Sequence, residues 1–449
     1  MSFPRYPQYK DSGVEWLGKV PGHWHISKLK HFTHFVGGGT PSRDKLEFWN
    51  GDIPWVSPKD MKSERINGAE ECITEEGLLG SSSSLIAEGR VLMVVRSGIL
   101  KHTIPVAIND APVALNQDMK ALTFSREKCL SSFFWRWVQG LNDRLLLAWS
   151  KPGATVDSIE HDYLAETRIP LPPIDEQLQI TLFLEHETTK IDDLMAEQEK
   201  LIALLKEKRQ AVIAHAVTKG LDPTVPMKDS GVEWLGEVPA HWQIIPLKKL
   251  GRIQYGIGEP PKYQEDGTPL IRATNVGAGK LHEQGLVFVD PDDIPEKRIF
   301  WLEEGDIIVV RSGAYTGDSA IIPRGFGPCI AGFDMVFRPK NIVPDFIQFA
   351  LLSRYLKEHQ LDLKKTRAAQ PHLNAEELGE CYVLLPPPDE QKEICRALTA
   401  GVESSDFLVR EAEHSIALLK ERRTALISAA VTGQIDVRGL IKEEQEQAA

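Results

Sequence analysis

The sequence predicts an α+β chain made of one module used twice, each copy a mixed α/β domain followed by a long coiled-coil helix, the two helices antiparallel about a pseudo-two-fold axis. Three observations carry this. Residues 10–24 (KDSGVEWLGKVPGHW) return at 228–242 (KDSGVEWLGEVPAHW), with thirteen of fifteen positions identical. Residues 171–180 (LPPIDEQLQI) return at 385–394 (LPPPDEQKEI), and 204–222 (LLKEKRQAVIAHAVTKGLD) return at 418–436 (LLKERRTALISAAVTGQID), both 214 positions further on. Solenoid repeats have periods of about 20–50 residues, so a spacing this long marks a duplicated module. Between these segments the copies diverge: 51–61 (GDIPWVSPKDM) and 267–276 (GTPLIRATNV) share only an extended, Pro-containing pattern. A common frame with two different interiors suits a protein that reads two different things with one machinery.

The elements follow in chain order. The first interior, about residues 26–170, has a β-rich run at 91–96 among Gly and Pro turns and a helical stretch rich in aromatics and Leu at 131–149. After Pro172 and Pro173, Asp175 is placed to cap a long helix whose first turn carries Glu176. Leu184, Glu187, Ile191, Leu194, Gln198, Leu201, Leu205, Lys208 and Val212 are spaced alternately by three and four, a heptad seam that predicts pairing with a second helix. This helix ends near Lys219 and Gly220, and its roughly 40 residues would span about 60 Å. The second interior, about 244–384, has β-rich runs at 286–289, 307–311 and 335–338 and a helical stretch at 344–361. The second long helix runs from Asp389 to about Val431, with Leu408, Leu419 and Leu426 on its seam. Gly401 and Ser405 replace Glu187 and Ile191 there, so a kink or fray is expected. Read cyclically, residues 10–24 belong after the second helix as 228–242 follow the first, and two helices joining opposite modules must be antiparallel. The boundaries are 1–172 for the N-terminal segment and first domain, 173–222 for the first helix, and 223–387 for the linker and second domain. The second helix takes 388–436 and an acidic tail 437–449.

Composition narrows the function. The chain has 449 residues, 42% hydrophobic and 26% charged, values ordinary for a folded globular protein. No apolar run approaches the ~20 residues of a membrane helix, and no secretory pattern opens the chain. Five scattered cysteines without a C-x-x-C pair fit a reduced, cytoplasmic location. A net charge of −12 weighs mildly against a nucleic-acid partner, although phosphate binding depends on local basic surface.

Catalytic patterns fail on inspection. Residues 13–19 (GVEWLGK) approach a P-loop, but Val20 stands where Ser or Thr would hold magnesium, Pro21 stops the helix, and the second copy has Glu237 for the lysine. Asp389, Glu390 and Lys392 suggest a nuclease signature, yet no strand separates its halves and the first copy has Leu178 for Lys392; acidic residues at a helix N-terminus explain it better. The Asn- or Asp-Pro-Pro-aromatic loop of aminomethyltransferases is missing. His23, His25, His31 and His34 match no common zinc spacing. Neither catalytic nor metal-binding residues are expected. What remains are basic, polar, Gly-containing loops in the interiors. In the first domain the candidate DNA contacts are Gly38, Thr40, Ser42, Arg43, Ser57, Lys59, Arg96, Ser97, Lys151 and Thr155. In the second they are Arg272, Thr274, Asn275, Arg311, Ser312, Tyr315, Lys364, Lys365, Arg367 and Gln370. These side chains are of the kinds that read base edges and phosphates.

The Leu-Pro-Pro-x-Asp-Glu-Gln helix opening, the Leu-Leu-Lys-Glu-x-Arg…Ala-Val-Thr ending and the Asp-Ser-Gly-Val-Glu-Trp-Leu-Gly segment resemble the specificity subunit of type I restriction-modification systems. The resemblance covers essentially the whole chain. It implies two target recognition domains, one per half of a bipartite double-stranded DNA target, separated by two antiparallel spacer helices. It also implies no catalysis and no cofactor in this subunit. Two modification subunits would use S-adenosylmethionine to methylate adenine, and two restriction subunits would use ATP and Mg. The alternatives are a coiled-coil DNA-binding adaptor without sequence preference and a self-sufficient methyltransferase or nuclease.

Overall fold

The computed structural model describes residues 3–150, 157–365 and 371–440. These form two compact units, one of residues 1–197 and 414–449, the other of residues 198–413. Each contains one interior and part of both long helices, Ile174–Lys219 and Pro388–Val431.

The repeated segments build the same frame in each unit. Tyr9–Asp11 pairs with Lys19–Pro21, and Met227–Asp229 with Glu237–Pro239. Gly13 and Gly18 between the first pair have φ of 66° and 67°, and Gly231 and Gly236 in the second have 72° and 64°. The glycines that suggested a P-loop therefore serve a left-handed turn. Lys10 Nζ donates to the Trp24 carbonyl, and Lys228 Nζ to that of Trp242 at 2.6 Å. The strand after each tryptophan pairs with the strand that precedes the long helix: His25–Lys28 with Arg168–Leu171, and Gln243–Pro246 with Tyr382–Leu385.

The first long helix begins at Ile174, so Asp175 lies inside its first turn and does not cap it. Gln177 closes the opening, donating to the Pro172 carbonyl (2.9 Å) and the Lys128 carbonyl (2.8 Å) and accepting the Leu130 N–H (2.9 Å). Gln391 does the same with the Pro386 carbonyl (2.8 Å) and the Val343 N–H (2.9 Å). Gly220 (φ 78°) and Gly433 (φ 72°) follow the two helix ends in left-handed conformation. A Cβ on Gly433 would collide with the Pro21 ring, beside Trp24, and the Asp436 N–H donates to the Pro4 carbonyl (2.8 Å). The chain thus returns to its own first hairpin, as the cyclic reading expects.

The helix segments are antiparallel in each unit. In the second, Arg209 pairs with Asp406 (3.2 Å), while Gly220, further along the first helix, lies against Glu390, earlier on the second. In the first, Asp192 pairs with Arg423 (2.9 Å), and Trp24 bridges Glu176 to Gly433. Two expectations for these helices are corrected. The second runs unbroken through Gly401 and Ser405. Leu398 and Val402 are buried in one core with Ile213 and Val217, and that packing outweighs a propensity cost of about 1 kcal/mol. The seam, moreover, is not continuous. Leu184, Ile191 and Leu426 are buried and Leu205 and Leu419 half-buried, but Leu194, Leu201, Val212 and Leu408 are 43–46% exposed. Helix burial comes from the cores of the units, which take Ile180, Phe183 and Leu184 in one and Ile213, Ala216 and Val217 in the other.

The interiors are sheets backed by helices. In the first, five strands run in the order Thr33–Gly37, Met119–Phe124, Val91–Val94, Val106–Asn109, Arg65–Ile66, and three more in the order Ala114–Leu115, Trp49–Val56, Cys72–Ile73. The helical stretch at 131–149 divides at Leu141 into Ser131–Gly140 and Asn142–Trp149, burying Phe133, Phe134, Trp137 and Trp149. In the second, the sheets run Gly251–Tyr255, Met335–Pro339, Ile307–Val309, Ser319–Ile321 and Val287–Val289, Thr268–Ile271, Cys329–Ala331, Trp301–Leu302. The stretch at 344–361 is Pro344–Leu352, Arg354–Leu356 and a π turn Lys357–Leu361. The β runs at 91–96 and 307–311 leave their sheets early, at Val94 and Val309, which starts the Arg-Ser-Gly loops there.

Candidate nucleic-acid interface

In the first unit the loop after Thr33–Gly37 crosses the neighbouring chain closely. A Cβ on Gly38 would collide with the Asn116 carbonyl, and its N–H donates to Met119 O at 3.3 Å. Gly256 is packed the same way against Gly332 in the second unit, so this glycine permits a backbone crossing in both. Thr40 donates to Gln117, and the Ser42 carbonyl accepts Trp49 Nε1 (3.1 Å). The Arg43 guanidinium lies 3.8 Å from the Trp49 ring centroid and 5.3 Å from that of Trp55, and it forks onto Glu71 at 2.6 and 2.9 Å. That fork holds the Glu71 carboxyl below its ordinary range. Ser57 commits its N–H and hydroxyl to Asp60, both at 2.8 Å, and Lys59 is exposed. Thr40, Ser42, Arg43, Ser57 and Lys59 are thereby gathered around strand Trp49–Val56. Arg96 is exposed, its N–H donating to the Asp118 carbonyl (3.3 Å) next to the Gln117 that Thr40 engages, and Ser97 accepts the Ile99 N–H and opens the turn Gly98–Lys101.

In the second unit Arg272, Arg311 and Ser312 come together. The Arg311 N–H donates to Asp334 (3.1 Å), and its guanidinium packs 4.7 Å from the Tyr255 centroid and 4.2 Å from that of Phe333. Arg272 lies 5.4 Å over Tyr263 and donates to the Gly285 carbonyl (2.8 Å). Tyr263, Arg272, Ser312, Phe333 and Asp334 line a cleft of about 200 Å³. Burial lifts the Asp334 carboxyl above its ordinary range, against the pull of Arg311. Tyr315 and Thr274 are exposed. Asn275 is fully buried, accepting the Arg272 N–H (3.2 Å) and donating to the His282 (3.0 Å) and Gln284 (3.4 Å) carbonyls, so its side chain serves the loop. Lys364 is engaged separately by Glu380 (3.4 Å). Lys151, Thr155, Arg367, Gln370 and the side chain of Lys365 lie outside the described residues.

Sequence reasoning missed the aromatic partners of the arginines, and it missed the purpose of the Asp-Glu-Gln motif. The Glu176 carboxylate, 6% exposed, accepts Tyr6 Oη (2.6 Å) and Trp24 Nε1 (2.8 Å) and pairs with His23 Nε2 (2.7 Å). Burial, aided by Glu176, pushes the Tyr6 phenol up. Glu390 accepts Trp242 Nε1 (3.1 Å) and pairs with His241 (2.8 Å). Recurrence of His-Trp with Asp-Glu-Gln in both copies was the available signal. Among the described residues no group of three or more His, Cys, Asp or Glu side chains is arranged to hold a metal. Burial pushes the Cys329 thiol up to about 11 and those of Cys381 and Cys395 up to about 12, away from nucleophilic thiolates.

Comparison with known proteins matches residues 21–204 and 239–407 to the family described as type I restriction modification DNA specificity domain. The specificity subunit of the Escherichia coli type I restriction enzyme EcoR124I/EcoR124II is 40% identical over 180 residues, which span 39% of this chain and 41% of that one. The MjaIX specificity subunit of Methanocaldococcus jannaschii is 23% identical over 436 residues, covering 94% of this chain and 96% of its own. Among solved structures, a chain from a type I R-M system superposes with a TM-score of 0.71 at 16% identity, covering 92% of this chain and 98% of the other. The HsdS subunit from Thermoanaerobacter tengcongensis does so with a TM-score of 0.51 at 17% identity, over 93% and 98%.

Proposed function

Because the chain belongs to the type I restriction-modification DNA specificity family, with two family domains matched along it, we propose that each unit reads one half of a bipartite double-stranded DNA target. The observation that carries this is a contrast. The frame repeats its main contacts, with Glu176 and Glu390 holding His-Trp pairs and Gln177 and Gln391 closing the helices. The loops that the frames display differ: a tryptophan-stacked arginine pinned by Glu71 in one, an arginine between Tyr255 and Phe333 in the other. One architecture presenting two chemically distinct surfaces fits two readouts of different sequence.

In this reading the chain recognises and does not catalyse. Two modification subunits dock on it and methylate adenine with S-adenosylmethionine; two restriction subunits use ATP and Mg. No described helix is long and apolar enough to cross a membrane. In the same reading the chain acts on DNA in the cytoplasm. The acidic chain with local basic loops should bind DNA weakly and without discrimination alone, and tightly and selectively with modification subunits around the duplex. Quantitative binding to target and scrambled duplexes tests this. If the isolated chain matches the complex in affinity and selectivity, the division of labour is wrong. If the complex shows no sequence preference, the adaptor reading replaces it.

A further inference from the structure

Several arginines of the interiors lie on aromatic rings, and two of them, Arg43 and Arg311, differ in their commitments. Both terminal nitrogens of Arg43 are taken by Glu71, at 2.6 and 2.9 Å. Arg311 packs on Tyr255 and Phe333, residues that are 43% and 45% exposed. Among the described residues no side-chain hydrogen bond or ion pair engages its guanidinium, and its Nε is buried without a partner. Its backbone is fixed on both sides, the N–H by Asp334 (3.1 Å) and the carbonyl by the Leu373 N–H (2.8 Å). The root of the side chain is therefore held, its guanidinium lies against two rings, and among the described residues nothing takes its hydrogen-bonding edge.

An exposed arginine normally loses rotamer freedom when it binds, and stacking removes much of that freedom beforehand. Orientation of this kind matters little to a phosphate contact, which positions the protein without reading sequence. It matters greatly for a rigid fork that must meet two acceptors at once, as the O6 and N7 of guanine are met in the major groove. We infer that Arg311 reads a guanine in the half-site of the second unit, with Tyr255 and Phe333 as positioning residues, and that Arg43, with the end of its fork pinned by Glu71, fixes its own loop and reads no base. This rests on the recognition reading proposed above.

The test uses the full chain with its modification subunits. Methylated adenines are mapped for the wild type, Arg311→Gln, Phe333→Leu and Arg43→Gln. Arg311→Gln should reduce discrimination at one G·C position of one half-site by about 10- to 100-fold, with adenine gaining there, since glutamine pairs with adenine. Phe333→Leu should weaken the preference at that same position, and Arg43→Gln should leave the motif intact. Replacing that guanine by 7-deazaguanine should reproduce the loss with the wild type and add nothing to Arg311→Gln. If Arg311→Gln fails to fold, Phe333→Leu marks the position, and a wild type indifferent to 7-deazaguanine there overturns the inference. An unchanged motif with Arg311→Gln, or a relaxed motif with Arg43→Gln, overturns the inference. So does a uniform loss of affinity across sequences with a shallower salt dependence, the signature of a phosphate contact. A wild type that shows no bipartite motif overturns the recognition reading instead, and the inference with it.

Discussion

Replacing Glu176 by alanine tests the frame most sharply. The carboxylate serves two buried donors, Tyr6 Oη and Trp24 Nε1, whose residues are 4% and 0% exposed. It also serves His23, whose side chain is 41% exposed and can turn to water. A buried donor left without an acceptor costs about 1–3 kcal/mol, so Glu176→Ala should destabilise the first unit by about 2–6 kcal/mol. Among the described residues Glu390 serves one buried donor, Trp242 Nε1, beside the 42% exposed His241. Glu390→Ala should then cost the second unit about 1–3 kcal/mol. Glu176→Gln, which keeps one acceptor oxygen, should fall between wild type and Glu176→Ala. With two units in the chain a single global unfolding energy is poorly defined, so the assay is hydrogen exchange read separately in peptides around Trp24 and around Trp242. Equal losses at the two sites, or a loss under about 1 kcal/mol for Glu176→Ala, would refute the claim that this glutamate is a buried acceptor and return it to the role of a helix-dipole residue.

Other outcomes follow from the same geometry. Glu166, held down at about 2 by hydrogen bonds from Lys28 and Lys30, should stay ionised at pH 3 in an NMR titration. Because its pKa is depressed, its contribution is present above the ordinary value of 4.5 and is lost as pH falls toward 2; Lys28→Ala with Lys30→Ala should return the titration toward that ordinary value. A fragment of residues 1–222 should dimerise, measured by light scattering, because Asp192 and Arg209 stand 214 positions before Asp406 and Arg423, so each copy carries both halves of the interhelical ion pairs. With modification subunits that dimer should methylate a palindrome of the first half-site; a monomeric fragment, or a non-palindromic site, would contradict this. Four residues inserted between Leu201 and Leu205 add about 6 Å of helix. At about 3.4 Å per base pair, the unread gap should lengthen by one to two base pairs with both half-sites unchanged; altered half-sites with an unchanged gap would refute the helix as ruler.

Much of the frame was legible because it is written twice. Prolines before and glycines after the helical segments mark both long helices to within a few residues of Ile174–Lys219 and Pro388–Val431. The heptad reading overreached at Leu194, Leu201, Val212 and Leu408, since helix periodicity shows which positions share a face but not whether a partner covers it. Gly401 misled for the opposite reason: propensity favoured a break, and packing of Leu398 and Val402 prevented it. In the interiors the basic residues could be named, yet their environments could not. Asn275 looked like a base reader and is a buried loop brace, while Arg311 acquires its rings from Tyr255 and Phe333, on segments far apart in sequence that only the sheet brings together.

The central claim is that one duplicated frame presents two independent readers of DNA. It is tested most directly by exchanging residues 223–387 for the corresponding segment of a relative with a different target and mapping methylated adenines in cells that supply the modification subunit. The account predicts that one half of the motif changes to the donor's while the other half and the gap stay as they were. A motif altered in both halves, or in neither, would contradict it.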